Sequence, residues 1–180
     1  MIAYAISDPS TLNFQTLTSD LRRFSTKATM LVYRDKSTNE YAENAKIFLD
    51  EAVKYSFKKI LLHTDYQLAY RLGAGGIHLK STQQGDIVNA KKLGLFVVIS
   101  THTQEEALMA QELGADMITF SPIFTTPNKG APKGLKELYR VTSILSIPLI
   151  ALGGIITKEQ IDLSQQSGAI GFASIRWFAS

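Results

Sequence analysis

Eight short apolar runs recur along this chain, each followed by a longer amphipathic stretch, and few folds can absorb that alternation. The runs are residues 2–7, 30–33, 59–62, 76–79, 96–100, 117–120, 148–152 and 171–174. Several are apolar throughout rather than alternating, as parallel strands covered on both faces are. The stretches between them read as helices. Residues 104–113 carry Ala107, Leu108, Ala110 and Leu113, with Thr103 as N-cap and Glu105 and Glu106 placed to favour the positive end of the helix dipole. Residues 39–55 set Ala42, Ala45, Leu49, Ala52 and Val53 on one face. Leu72-Gly73-Ala74, Leu113-Gly114-Ala115 and Ser167-Gly168-Ala169 each read as a helix ending on glycine just before the next strand. Repeated βα units of this kind predict an α/β fold, a closed (β/α)8 TIM barrel formed as one domain over residues 1–180. A doubly wound open sheet is the alternative.

Size and composition narrow the function classes. The 180 residues fit one core but are few for eight βα units, which typically take about 250. Connections are therefore expected to be tight. The chain ends at Ser180, soon after the eighth run, so no closing C-terminal helix is expected. That leaves one side of the barrel to be covered by something else, a homo-oligomer being one way. No run of about 18 apolar residues is present to span a membrane, and Met1-Ile2-Ala3-Tyr4 lacks the basic start of a signal peptide. The formal charge is only +3, with Lys and Arg scattered, which argues against nucleic acid as a partner. Without cysteine there is neither disulfide nor thiolate chemistry, and a cytoplasmic location is expected.

Barrel enzymes carry their chemistry after the strands, and the polar candidates of this chain stand at those positions. Gly153-Gly154-Ile155 follows the seventh run, and Ile175-Arg176 the eighth. In this fold, loops there form a phosphate cradle, and glycine lets backbone N–H groups approach the oxygens; the pair also reads as a plain tight turn. Arg34-Asp35-Lys36 follows the second run and offers two cations suited to phosphate or diphosphate, or a solvated charge run. The stretch from Ser121 to Gly130, with Thr125, Thr126, Asn128 and Lys129, reads as a flap over a ligand. His63, His78 and His102 all lie near strand ends, where each is either a base or a hydrogen-bonded structural residue. Their spacing does not suit zinc.

These stations, in this order, resemble the thiamine-phosphate synthase superfamily, which includes the TenI-type thiazole tautomerases. The resemblance runs over nearly the whole chain. It rests most on Ser100-Thr101-His102-Thr103-Gln104-Glu105-Glu106-Ala107, Leu113-Gly114-Ala115-Asp116, Ser121-Pro122-Ile123-Phe124, Thr126-Pro127-Asn128-Lys129 and Ile150-Ala151-Leu152-Gly153-Gly154-Ile155. It implies that Arg34, Lys36, Ser100, Thr126, Asn128 and Lys129 face a diphosphate or substrate, and that Gly153, Gly154, Ile175 and Arg176 hold a thiazole phosphate. In the synthases a pyrimidine diphosphate ionises, and the thiazole nitrogen captures the cation. Two acids bind magnesium there, and both are replaced: the Asn-Asp pair after strand three reads His63-Thr64, and Gly-Gln-x-Asp after strand four reads Lys80-Ser81-Thr82-Gln83. The expected metal set is therefore none, with Mg²⁺ needed only if the chain is a synthase with an altered site that uses Asp65 and substrate oxygens. The departures point first to a tautomerase-like enzyme with His102, His63 or His78 as base, although the histidine expected after strand six is Pro122. A synthase is the second reading and a non-catalytic ligand-binding protein the third. In each the partner is a small phosphorylated thiazole or pyrimidine.

Overall fold

The computed structural model describes residues 1–180, and all eight runs become strands of one closed parallel barrel in sequence order. The strands are β1 (Ile2–Ile6), β2 (Met30–Tyr33), β3 (Lys59–His63), β4 (Ile77–Leu79), β5 (Val97–Thr101), β6 (Met117–Phe120), β7 (Leu149–Leu152) and β8 (Gly171–Ser174). Seven helices lie outside: α1 (Leu17–Ser25), α2 (Tyr41–Ala52), α3 (Tyr66–Arg71), α4 (Asp86–Lys92), α5 (Gln104–Glu112), α6 (Gly134–Thr142) and α7 (Lys158–Gln166). The open-sheet alternative is excluded by the β1–β8 pairing, which brings Ile2 opposite Gly171 and Ala5 opposite Ser174.

Alternation along each strand sorts the side chains into two cores. Tyr4, Ile6, Met30, Val32, Leu61, Val98, Met117, Ile150 and Ala173 fill the barrel interior. Their neighbours in the strands, among them Ala5, Leu31, Leu62, Ile99 and Ile118, face the helices in a larger layer. Both faces are dry, which is why the runs look uniformly apolar.

Local chemistry ends the helices much as expected. Thr103 accepts from the Glu106 N–H, and Gly73, Gly114 and Gly168 take positive φ after α3, α5 and α7. The face of α2 differs from expectation. Ala45, Leu49 and Ala52 are buried, but Ala42 and Val53 are exposed and Phe48 takes the inner position. The Asp of Leu113-Gly114-Ala115-Asp116 is architectural: its carboxylate accepts from the Val97 N–H at 2.7 Å and pairs with Lys91.

No α-helix follows β8. A 3-10 turn, Arg176–Phe178, takes its place, with Phe178 buried and stacked on Phe172 at 5.8 Å. Arg23 of α1 donates to the Phe178 carbonyl, so the side expected to be open is partly filled by the chain itself. No helix is long and apolar enough to cross a membrane.

Candidate active site

Continuing the interior alternation past the dry core leads directly to polar side chains at the C-terminal mouth. Val32 is followed two residues on by Arg34, Leu61 by His63, His78 by Lys80, and Val98 by Ser100 and His102; all of the polar ones line a single cavity of about 740 Å³. The seat of the cavity is thus the strand period itself.

The charge of this cavity is entirely of one sign. Arg34, Lys36, Lys80, Lys129 and Lys133 line it, and no Asp or Glu does. None of the five is in an ion pair; the six ion pairs of the structure use other cations. The cations also repel one another. Lys36 is held below the ordinary lysine value by the Arg34 guanidinium first, then by burial, Lys129 and Lys80. The nearby acids are occupied elsewhere. Asp35, between Arg34 and Lys36, accepts from the Ser37 and Thr38 N–H groups, and Asp65 caps α3 by accepting from the Leu68 N–H at 2.8 Å.

The three histidines fall into two kinds. His78 is fully enclosed and joins Tyr4 to Ser100: Tyr4 Oη lies 2.9 Å from Nδ1, and Nε2 lies 3.0 Å from Ser100 Oγ. Burial, reinforced by Tyr41, holds the phenol proton on Tyr4. Tyr4 has no other acceptor, so its O–H donates to Nδ1, and the proton of His78 sits on Nε2 and goes to Ser100. The Ser100 hydroxyl is left with its own proton to offer the cavity. Burial pushes His78 down to about 3, with Arg34 adding to the effect. His63 is pushed down to about 2, first by burial and then by His78, Arg34, Lys36 and Lys80. Both rings are therefore neutral near pH 7 and too weak to serve as bases there. His102 differs. Its Nδ1 lies 3.0 Å from the Ser121 carbonyl, so Nδ1 donates and Nε2 is the lone-pair nitrogen.

The far side of the mouth is built from backbone. Gly153 and Gly154 have φ of +99° and +70°. A Cβ on Gly153 would lie 2.7 Å from Pro122 Cα, and one on Gly154 2.5 Å from the Thr125 carbonyl. The N–H groups of Gly153, Gly154 and Ile175 donate to no acceptor in the chain. Gly153 and Ile175 line the cavity. Gly154 does not, being packed beneath Phe124–Thr125, and the exposed Arg176 side chain begins the 3-10 turn outside the wall.

Of the flap, Thr126 and Lys129 reach the wall, whereas Asn128, exposed and at φ +59°, does not. Lys133 was not among the candidates. It stands just before α6, and following the loop to that helix rather than stopping at Gly130 would have included it. The flap is rooted on β7: Ile123 N–H donates to the Leu152 carbonyl and Phe124 N–H to Gly153.

Comparison with known proteins agrees on one family. A family model described as thiamine monophosphate synthase matches residues 3–178. The thiamine-phosphate synthase of Syntrophomonas wolfei is 31% identical over 180 residues, spanning 96% of this chain and 85% of that protein. That of Chlorobium phaeovibrioides is 43% identical over 113 residues, 60% of this chain and 54% of the relative. Among solved structures, thiamine phosphate pyrophosphorylase from Pyrococcus furiosus superposes with a TM-score of 0.81 at 25% identity, covering 97% of this chain and 85% of that one.

Proposed function

Because the chain belongs to the thiamine monophosphate synthase family, we propose that its cavity joins a pyrimidine diphosphate to a thiazole phosphate, giving thiamine phosphate and free diphosphate. The observation that carries this reading is the set of five unpaired cations around a cavity without a carboxylate. A monophosphate alone would leave most of that charge unmatched, which moves the synthase ahead of the tautomerase that the sequence puts first.

In the proposed reaction the bond from the pyrimidine methylene carbon to the diphosphate oxygen breaks, and both electrons leave on the oxygen. The thiazole nitrogen lone pair then forms the C–N bond. No proton is transferred, so weak bases such as His63 and His78 are no handicap. Arg34, Lys36 and Lys129 hold the diphosphate, and the Ser100 hydroxyl donates to it; positive charge around the leaving group favours its departure. The amides of Gly153 and Ile175 take the thiazole phosphate.

Magnesium does not fit the donor set. Mg²⁺ is ordinarily held by one or two carboxylates together with substrate phosphates and waters, and no Asp or Glu lines this cavity. No step is therefore assigned to it.

The His102 geometry favours a second reading, in which Nε2 moves a proton on a thiazole phosphate. One assay separates the two. Given both substrates, the protein should form thiamine phosphate and release diphosphate, and His102→Ala should reduce the rate by less than about tenfold. Absence of coupling, together with His102-dependent isomerisation of the thiazole phosphate alone, would replace the synthase with the tautomerase.

A further inference from the structure

The positions after β3 and β4 present no acid to the cavity, and hydrogen bonds between the two loops hold them in place. Thr64, at φ +68°, turns its hydroxyl back to donate to the His63 carbonyl. Gln83 accepts from the Lys80 N–H at 3.1 Å, and donates to the Thr64 carbonyl at 3.0 Å and to Asp86 at 2.9 Å. Both side chains are committed to the loops, and neither lines the cavity. The same interlock fixes the backbone of Lys80, whose side chain does line it, on the side that also carries Arg34 and Lys36.

We propose that the cavity takes its diphosphate without a divalent cation, and that Lys80, beside Lys36 and Lys129, supplies the charge a metal would otherwise bring. This rests on the proposed diphosphate substrate. An esterified diphosphate carries roughly three negative charges near neutrality, since its terminal group titrates like a phosphomonoester. Three ammonium groups and the Arg34 guanidinium carry four positive charges, enough to neutralise it with one to spare. They also make the empty cavity hostile to Mg²⁺, which would enter a site of its own sign. The mutual repulsion felt at Lys36 is relieved when an anion binds, so the cluster favours occupancy. When the C–O bond breaks, the added charge on the diphosphate oxygen falls among cations already in place, and nothing else need be recruited.

The test uses inorganic diphosphate as the probe, titrated calorimetrically into the full chain, once with EDTA and once with excess Mg²⁺. Binding in EDTA that Mg²⁺ strengthens by no more than about twofold is expected, and Lys80→Gln should weaken the EDTA binding by about tenfold. Lys80 is exposed, so that variant should keep the wild-type melting temperature. Binding only with Mg²⁺ would overturn the inference and leave the proposed reaction standing. Metal-free binding indifferent to Lys80→Gln would overturn the role of Lys80. Failure to bind under either condition would overturn the diphosphate reading as well.

Discussion

The two sides of the cavity mouth present positive character by opposite means. From β2 to β4 the wall presents long side chains, Arg34, Lys36 and Lys80, whose charges are unpaired. At β7 and β8 it presents Gly153 and Ile175, with backbone N–H groups that have no acceptor in the chain. The first side is strongly charged, and long side chains of that kind are indifferent to the exact outline of a ligand. The second is fixed by main-chain geometry and carries no net charge, so it reads shape. A site serving two anions of different charge is suited by such a division.

Three substitutions break the contrast in order of severity. Gly153→Ala should do most harm. Its Cβ would meet Pro122 at 2.7 Å, with φ at +99°, and the strain of order 2 kcal/mol must be relieved by moving the cradle. Thiazole phosphate binding should fall by more than about 100-fold in calorimetry, since misplaced amides lose their hydrogen bonds together; wild-type affinity would refute the backbone cradle. Arg34→Gln should weaken inorganic diphosphate binding by about 10–100-fold, and the loss should shrink in high salt because it is electrostatic. A loss that salt does not touch would mean that Arg34 shapes the site rather than charging it. Arg176→Gln should change either affinity by less than about twofold, because its side chain is outside the wall and its N–H is retained. Two arginines at strand ends would thus differ sharply, and equal effects would erase the distinction.

That distinction was only half legible in the sequence. The apolar runs located every strand, since burial on both faces leaves an unbroken signature. The ends were less visible: β3 continues through His63 and β5 through Thr101, because pairing with His78 and Phe120 holds the backbone whatever the side chain. Arg34 and Lys36 could be chosen as site residues, and the spacing of two also explains why Asp35 between them turns away. Lys133 was hidden by where the flap was taken to end. Position alone selects Gly153, Gly154, Ile175 and Arg176 together, whereas the backbone path after each strand puts only Gly153 and Ile175 on the cavity wall. Least legible was the weakness of His63 and His78 as bases. It arises from burial and from cations on neighbouring strands, and no local pattern encodes either.

The root of the flap has a consequence for how two ligands share the site. Ile123 and Phe124 are hydrogen-bonded to the Leu152 and Gly153 carbonyls, so the segment carrying Lys129 is tied directly to Gly153, whose amide the proposed thiazole phosphate would meet. A ligand that shifts Gly153 shifts the base of the flap, and a ligand gripped by Lys129 pulls on Gly153. Thermodynamic linkage makes the exchange symmetrical: whatever factor the first anion applies to the affinity of the second, the second returns. Under the proposed reaction its two substrates would be in communication before they touch, through two hydrogen bonds rather than through each other.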